Sequence, residues 1–219
     1  MNRIFRCHPK LDANRYGPTV KKQPLHLRQS DLDSGCGPHC AVMALMLLGE
    51  IERPDIENQG DLKNSKNKSL AKMWKRSSRF YFVGTKPSHL KSVFAPYKDC
   101  IESRLLKKKG RIDKLINVLG AEGTCIVGIS NDYFSHWVLA VGVGSSSEYT
   151  DPDLLLMLDP DAPTLPLTPW NATLSVKANV NGFHRYQSSR ISGSRVAVTS
   201  VLALTPILID DIELLQLLK

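Results

Sequence analysis

What the 219-residue sequence lacks narrows the field before any residue is given a task. Its longest apolar run, Ala41 to Leu48, falls well short of the roughly 20 residues that cross a bilayer. No transmembrane segment is expected. The stretch from Met1 to Lys10 has charge but no apolar run of the kind a secretory signal needs, so classical export is not expected either. Five cysteines make an odd number for a disulfide framework, and a chain of this length needs no staples. Reduced thiols in a cytoplasmic setting, or delivery by a non-classical secretion route, are the simpler expectation. There is no internal repeat and no low-complexity tract. The 42% apolar and 23% charged fractions, with few aromatics, are those of an ordinary globular protein and argue against wholesale disorder.

Acidic charge is scarce in the first two thirds. Ahead of Thr150 stand 24 Lys and Arg against 14 Asp and Glu, although the whole chain is only +8. Lysines gather at Lys63, Lys66, Lys68, Lys72 and Lys75 with Arg76 and Arg79, and again at Lys107, Lys108, Lys109 and Arg111. Such a face attracts acidic proteins, anionic lipid or nucleic acid, or is simply solvated. No nucleic-acid fold signature accompanies it, so nucleic acid is not the expected partner, whereas an acidic partner remains open.

Along the chain, residues 1–28 are basic, hold Pro9, Pro18 and Pro24, and show no period. They read as an extended arm, with a single folded domain over 29–219. Pro38 to Leu48 is apolar all round and ends at Gly49, the pattern of a buried helix. Ile51 to Lys72 is polar and reads as a surface insertion leading into a helix around Leu70 to Ser77. Ser88 to Tyr97 and Arg111 to Leu119 read as further helices. Beyond these, Thr124 to Ile129, His136 to Val143 and Leu154 to Leu158 are short Val, Ile and Leu runs separated by turn residues. Arg195 to Leu208 reads as one or two more strands. Helices first and then a mostly antiparallel sheet make an α+β chain.

The chemistry stands at the junctions of this plan. Cys36 immediately precedes the buried helix, whose free N–H groups and dipole favour a thiolate. Gly35 and Gly37 let the chain turn tightly around the sulfur, and Gln29, seven residues earlier, has an amide to offer an oxyanion. His136 opens one strand and Asp159 closes the next. Antiparallel neighbours would bring them side by side, the carboxylate fixing the imidazole tautomer.

These residues resemble the papain-like cysteine peptidases, and among them the bacteriocin-processing peptidases that cleave double-glycine leaders. In that family a Gln precedes a Cys-Gly element on a helix, a His begins a strand as His-aromatic-Val, and Asp-Pro closes the next strand. The resemblance covers Gln29 to Pro160. It implies Cys36 as nucleophile, His136 as base, Asp159 as orienting acid, Gln29 as oxyanion donor, no cofactor or metal, and a protein or peptide substrate. The family usually has Asp directly before the Cys, whereas this chain has Asp33-Ser34-Gly35-Cys36. A freestanding domain of this kind with a basic surface would suit a bacterial effector or toxin.

Plainer readings stand beside each assignment. Cys36 may be read as an inert core thiol, and Cys40, one turn on, as a core residue. Cys36 and Cys40 imitate a redox pair but are spaced one residue too far, and with His39 they imitate half a zinc site without a second half. Asp161 is the alternative acid to Asp159. Trp137 is expected in the core or shielding the imidazole, and His89 and His184 on the surface. The same triad also suits a deamidase or acyltransferase, and a catalytically idle papain-like binding module is the rival from another class.

Overall fold

The computed structural model describes residues 3–31, 33–57 and 67–207. It is a mixed α/β protein in which a few helices pack on a large antiparallel sheet. The polar run after Ile51 continues into residues outside the described ones, including Lys63 and Lys66, and Leu208 also lies outside them.

Helix α1, Cys36–Leu48, is the central element. All its residues except His39 are buried, as the absence of a polar stripe requires. Its end is set by Gly49 in the left-handed region (φ 94°), whose N–H reaches the carbonyls of Leu45 and Met46. The other main helices are α2 Arg53–Glu57, α3 Lys68–Ser77, α4 Phe80–Val83, α5 Pro87–Val93 and α6 Arg111–Gly120. A 3-10 turn at Ala95–Tyr97 completes the stretch expected as one helix from Ser88.

Six consecutive strands, β6 Thr124–Ser130, β7 Ser135–Ser145, β8 Leu154–Leu158, β9 Ala172–Ser175, β10 His184–Ser188 and β11 Ser194–Pro206, each pair antiparallel with the next. β11 then pairs with β6, so the ring closes into a barrel. Side chains alternate across a strand, and here the alternation separates two cores. Val127, Val138, Leu155, Leu174, Tyr186 and Val196 fill the barrel, and Leu115 and Val118 of α6 pack among them. Ile126, Leu139, Leu156 and Leu202 point the other way and bury α1. Strand β5, Ile101–Leu105, extends the sheet beside β11.

The expected arm is folded. β1, Ile4–Cys7, pairs with the second half of β7, and β2 Asp12–Asn14, β3 Gly17–Val20 and β4 Gln23–Pro24 form a separate small sheet. Val20 and Leu25 join the core around α1, and Lys10 Nζ donates to the Leu48 carbonyl at the end of α1 (2.7 Å). Strands of two to four residues are too short to display a period, and their partners lie far away in sequence. The arm therefore resembles unstructured chain until its neighbours are known.

Candidate active site

Cys36 is the first residue of α1, capped by the Gly35 backbone without a side-chain cap. Pro38 has no N–H, so Cys36 and Gly37 supply the amides of the first turn. The loop ahead of the helix is held by Asp33, whose carboxylate accepts from the N–H groups of Ser30 (2.9 Å) and Gly35 (2.7 Å). Partial burial works against that carboxylate, but these amides hold it below its usual range. Ser34 N–H donates to the Tyr81 carbonyl (2.6 Å), which ties the loop to α4. The two glycines serve close approach. A Cβ on Gly35 would lie 2.7 Å from Asp33 Oδ1, and one on Gly37 would lie 2.6 Å from Thr85 Oγ1. Cys36 is buried but not sealed, at 8% exposure.

The base arrives from the barrel. His136 lies near the start of β7, and the β7–β8 register, which pairs Leu139 with Leu158, sets Asp159 diagonally across from it. His136 Nε2 donates to Asp159 Oδ1 at 2.6 Å, which leaves Nδ1 for Cys36. Burial by itself would lower the imidazole pKa. Hydrogen bonds to Asp159 and Cys36, with Coulomb attraction to both, outweigh burial and raise it to about 10.

Asp159 is 1% exposed and fully partnered. Oδ1 also accepts from Asp161 N–H (2.8 Å), and Oδ2 accepts from the Tyr186 hydroxyl (2.5 Å). Burial opposes its ionisation, but the bond to and charge of His136, then Tyr186 and the Asp161 amide, hold it below the usual carboxylate range. Burial and the Asp159 charge push the Tyr186 phenol well up, so it remains a donor. Asn171 clamps the Asp159 backbone from both sides: its Oδ1 accepts the Asp159 N–H (2.7 Å), and its Nδ2 donates to the Asp159 carbonyl (2.9 Å). His26 Nε2 also reaches that carbonyl (2.8 Å).

The structure therefore brings Cys36, His136 and Asp159 together. Asp161, the alternative acid, instead turns its carboxylate to Arg190 (2.7 Å). Gln29 is anchored beside the acid, its N–H donating to the Pro160 carbonyl (2.8 Å), and its Oε1 is buried without a protein partner. Cys40 is fully buried, with Sγ donating to the Trp137 carbonyl (3.4 Å). Burial, then the nearby Cys36 and Asp159, hold it as a thiol. Trp137 lies in the core, and its Nε1 donates to the Thr85 carbonyl (2.9 Å), fixing the loop that covers Gly37.

His184 and His89 were expected on the surface, and neither is a free surface residue. His184 is buried with Nδ1 at the Ser175 carbonyl (2.8 Å), and His89 stacks on Phe80 with ring centres 4.8 Å apart. Each fills a gap that its own sequence neighbourhood does not announce. Among the described residues no three His, Cys, Asp or Glu side chains converge as ligands for a metal ion.

Sequence reasoning missed Tyr186, Asn171 and His26. For Tyr186 a signal existed. It was no more than a lone aromatic between Arg185 and Gln187, and the alternation of buried and exposed residues over His184 to Ser188 that turns Tyr186 inward is seen in the structure alone. For Asn171 and His26 there was none, because their partners are backbone atoms far along the chain. No family model and no curated protein matches the chain.

Proposed function

We propose that the protein is a cysteine hydrolase of papain-like type that cleaves a peptide or isopeptide bond. One observation carries the reading: the buried His136–Asp159 hydrogen bond, with the imidazole also bonded to Cys36 at the start of a helix that has no side-chain cap. A helix packed against a barrel, with the nucleophile on one and the base on the other, suits a papain-like scaffold.

In this mechanism the Cys36 proton already rests on His136, whose raised pKa keeps it an imidazolium, and the Cys36 thiolate attacks the substrate carbonyl carbon. The carbonyl oxygen becomes an oxyanion, for which the Cys36 N–H and the Gln29 carboxamide are the proposed donors. On collapse the C–N bond breaks, the imidazolium protonates the leaving amine, and an acyl-thioester remains on Cys36. His136 then deprotonates a water that attacks the thioester, releasing the acid and restoring the thiolate–imidazolium pair. Asp159 stays ionised throughout and stabilises the imidazolium. An amine in place of that water makes the same site an acyltransferase, and a glutamine side chain as substrate makes it a deamidase.

Iodoacetamide in small amount, with the modified residue located by mass spectrometry, tests the site directly. Cys36 is expected to label selectively at pH 6 in the native protein, and that selectivity is expected to vanish in His136→Ala. Turnover of a peptide library is expected to be abolished in Cys36→Ala. Slow, unselective labelling that rises only near the ordinary thiol pKa of about 8.5 would overturn the reading in favour of an idle binding scaffold.

A further inference from the structure

The lysine cluster at 107–111 has no place in the mechanism, and the fold gives it new neighbours. Two clefts adjoin near β9–β11, one of about 650 Å³ between the start of α6 and β11, the other of about 460 Å³ around the β9–β10 connection. Phe183 and His184 line both, so the clefts meet at these residues. Lys108 and Arg111 stand in the first, and Lys177, Arg185 and Arg195 in the second. Asp113 is the one acidic residue lining either.

Arg185 and Arg195 are direct cross-strand partners in the β10–β11 pairing. Their neighbours Tyr186 and Val196 point into the barrel, so alternation sends both guanidinium groups outward. Both residues are exposed, and neither forms an ion pair among the described residues. Like charges directly opposed on adjacent strands destabilise a sheet, so this pair is a cost to the barrel. Arg111 is held in place by the carbonyls of Val198 (2.9 Å) and Thr199 (2.8 Å). Those partners are neutral, so its charge is not cancelled. The face is thus a standing concentration of unpaired cations, gathered from separate parts of the chain.

We propose that this face is a docking site for an extended, Asp- and Glu-rich segment of a partner protein. Adjacent strands lie about 5 Å apart, so the two guanidinium forks can grip carboxylates of one acidic segment. Lys108, Arg111 and Lys177 extend the track at either side. Single-stranded nucleic acid fits less well, because it rests on successive aromatic platforms and of the two aromatic rings lining the clefts only Phe183 is exposed, His184 being buried. Docking is independent of the active-site reading, since it involves neither Cys36 nor His136.

The test uses the full chain carrying Cys36→Ala, so that catalysis plays no part, and a short fluorescent peptide rich in Asp and Glu. Fluorescence anisotropy is expected to show binding at low salt that weakens steeply as salt is added. It is expected to weaken by about tenfold or more in the double variant Arg185→Gln and Arg195→Gln. The same double variant is expected to melt at a higher temperature than its parent, because the cross-strand repulsion is gone. Reversal of Lys72 and Lys75 on α3 is expected to leave the affinity unchanged. Absence of peptide binding, unchanged affinity in the Arg-to-Gln variant, or tighter binding of a thymidine oligonucleotide of equal charge would each overturn the proposal.

Discussion

The two halves of the candidate site are held by different means. On the nucleophile side the backbone does the holding: Cys36 is placed by a helix start, an Asp33 loop bound through amides, and two glycines that leave no room for a Cβ. On the base side buried side chains do it, with Asp159 receiving His136 and Tyr186 while Asn171 clamps its main chain. A backbone-held residue can lose its side-chain tip with little effect on stability. A buried charged network cannot, because each lost partner leaves another group unsatisfied in a low-dielectric interior.

The sharpest test of that contrast compares stability in two variants that should be equally inactive. His136→Ala leaves the Asp159 carboxylate buried without its cation and is expected to cost about 3–5 kcal/mol. Cys36→Ala removes one sulfur at a helix start and is expected to cost less than about 1.5 kcal/mol. Urea denaturation of both variants measures the difference, and equal losses would erase the distinction between the halves.

A smaller effect is expected from Tyr186→Phe. It keeps the ring in the barrel but strips Asp159 Oδ2 of its donor, for about 1.5–3 kcal/mol. Its catalytic signature is a displaced pH dependence of turnover, because the Asp159 charge that supports His136 is less firmly held. A pure packing role for Tyr186 would leave the pH profile in place.

The mildest change is titration of the wild type. His136 has its pKa raised from 6.5 to about 10, so the stability it contributes is complete below pH 6.5 and is lost as the pH rises toward 10. Asp159 is shifted the other way, below 3.8, so its contribution is present above that value and is lost as the pH falls through the folded-state pKa. Melting temperatures across pH are expected to fall on both sides of that window. The decline between pH 6.5 and 10 should disappear in His136→Ala.

Much of this was legible because the signals were local. The apolar run closed by Gly49 spelled out α1, and the Val, Ile and Leu runs spelled out β6, β7 and β8. Cys36, His136 and Asp159 were readable because each stands where such an element begins or ends. Expectations failed where local signal was thin. The arm proved to be strands whose stabilising contacts lie with β7 and α1, and His184, polar and apparently isolated, proved to be buried.

By itself, then, the sequence determined the elements with a strong period, and it offered Cys36, His136 and either Asp159 or Asp161 at their ends, since helix punctuation and side-chain alternation act within a few residues. Tertiary structure alone decided that the barrel closes through β11 and β6, and that Asp159 rather than Asp161 meets the imidazole. It alone seated Tyr186 on that carboxylate and Asn171 on its backbone, and set Arg185 and Arg195 in a cleft that shares Phe183 and His184 with the one lined by Lys108. Those outcomes depend on strand register and on contacts between residues far apart in the chain, which become favourable only when the whole core assembles and the entropy of closing its loops is repaid together.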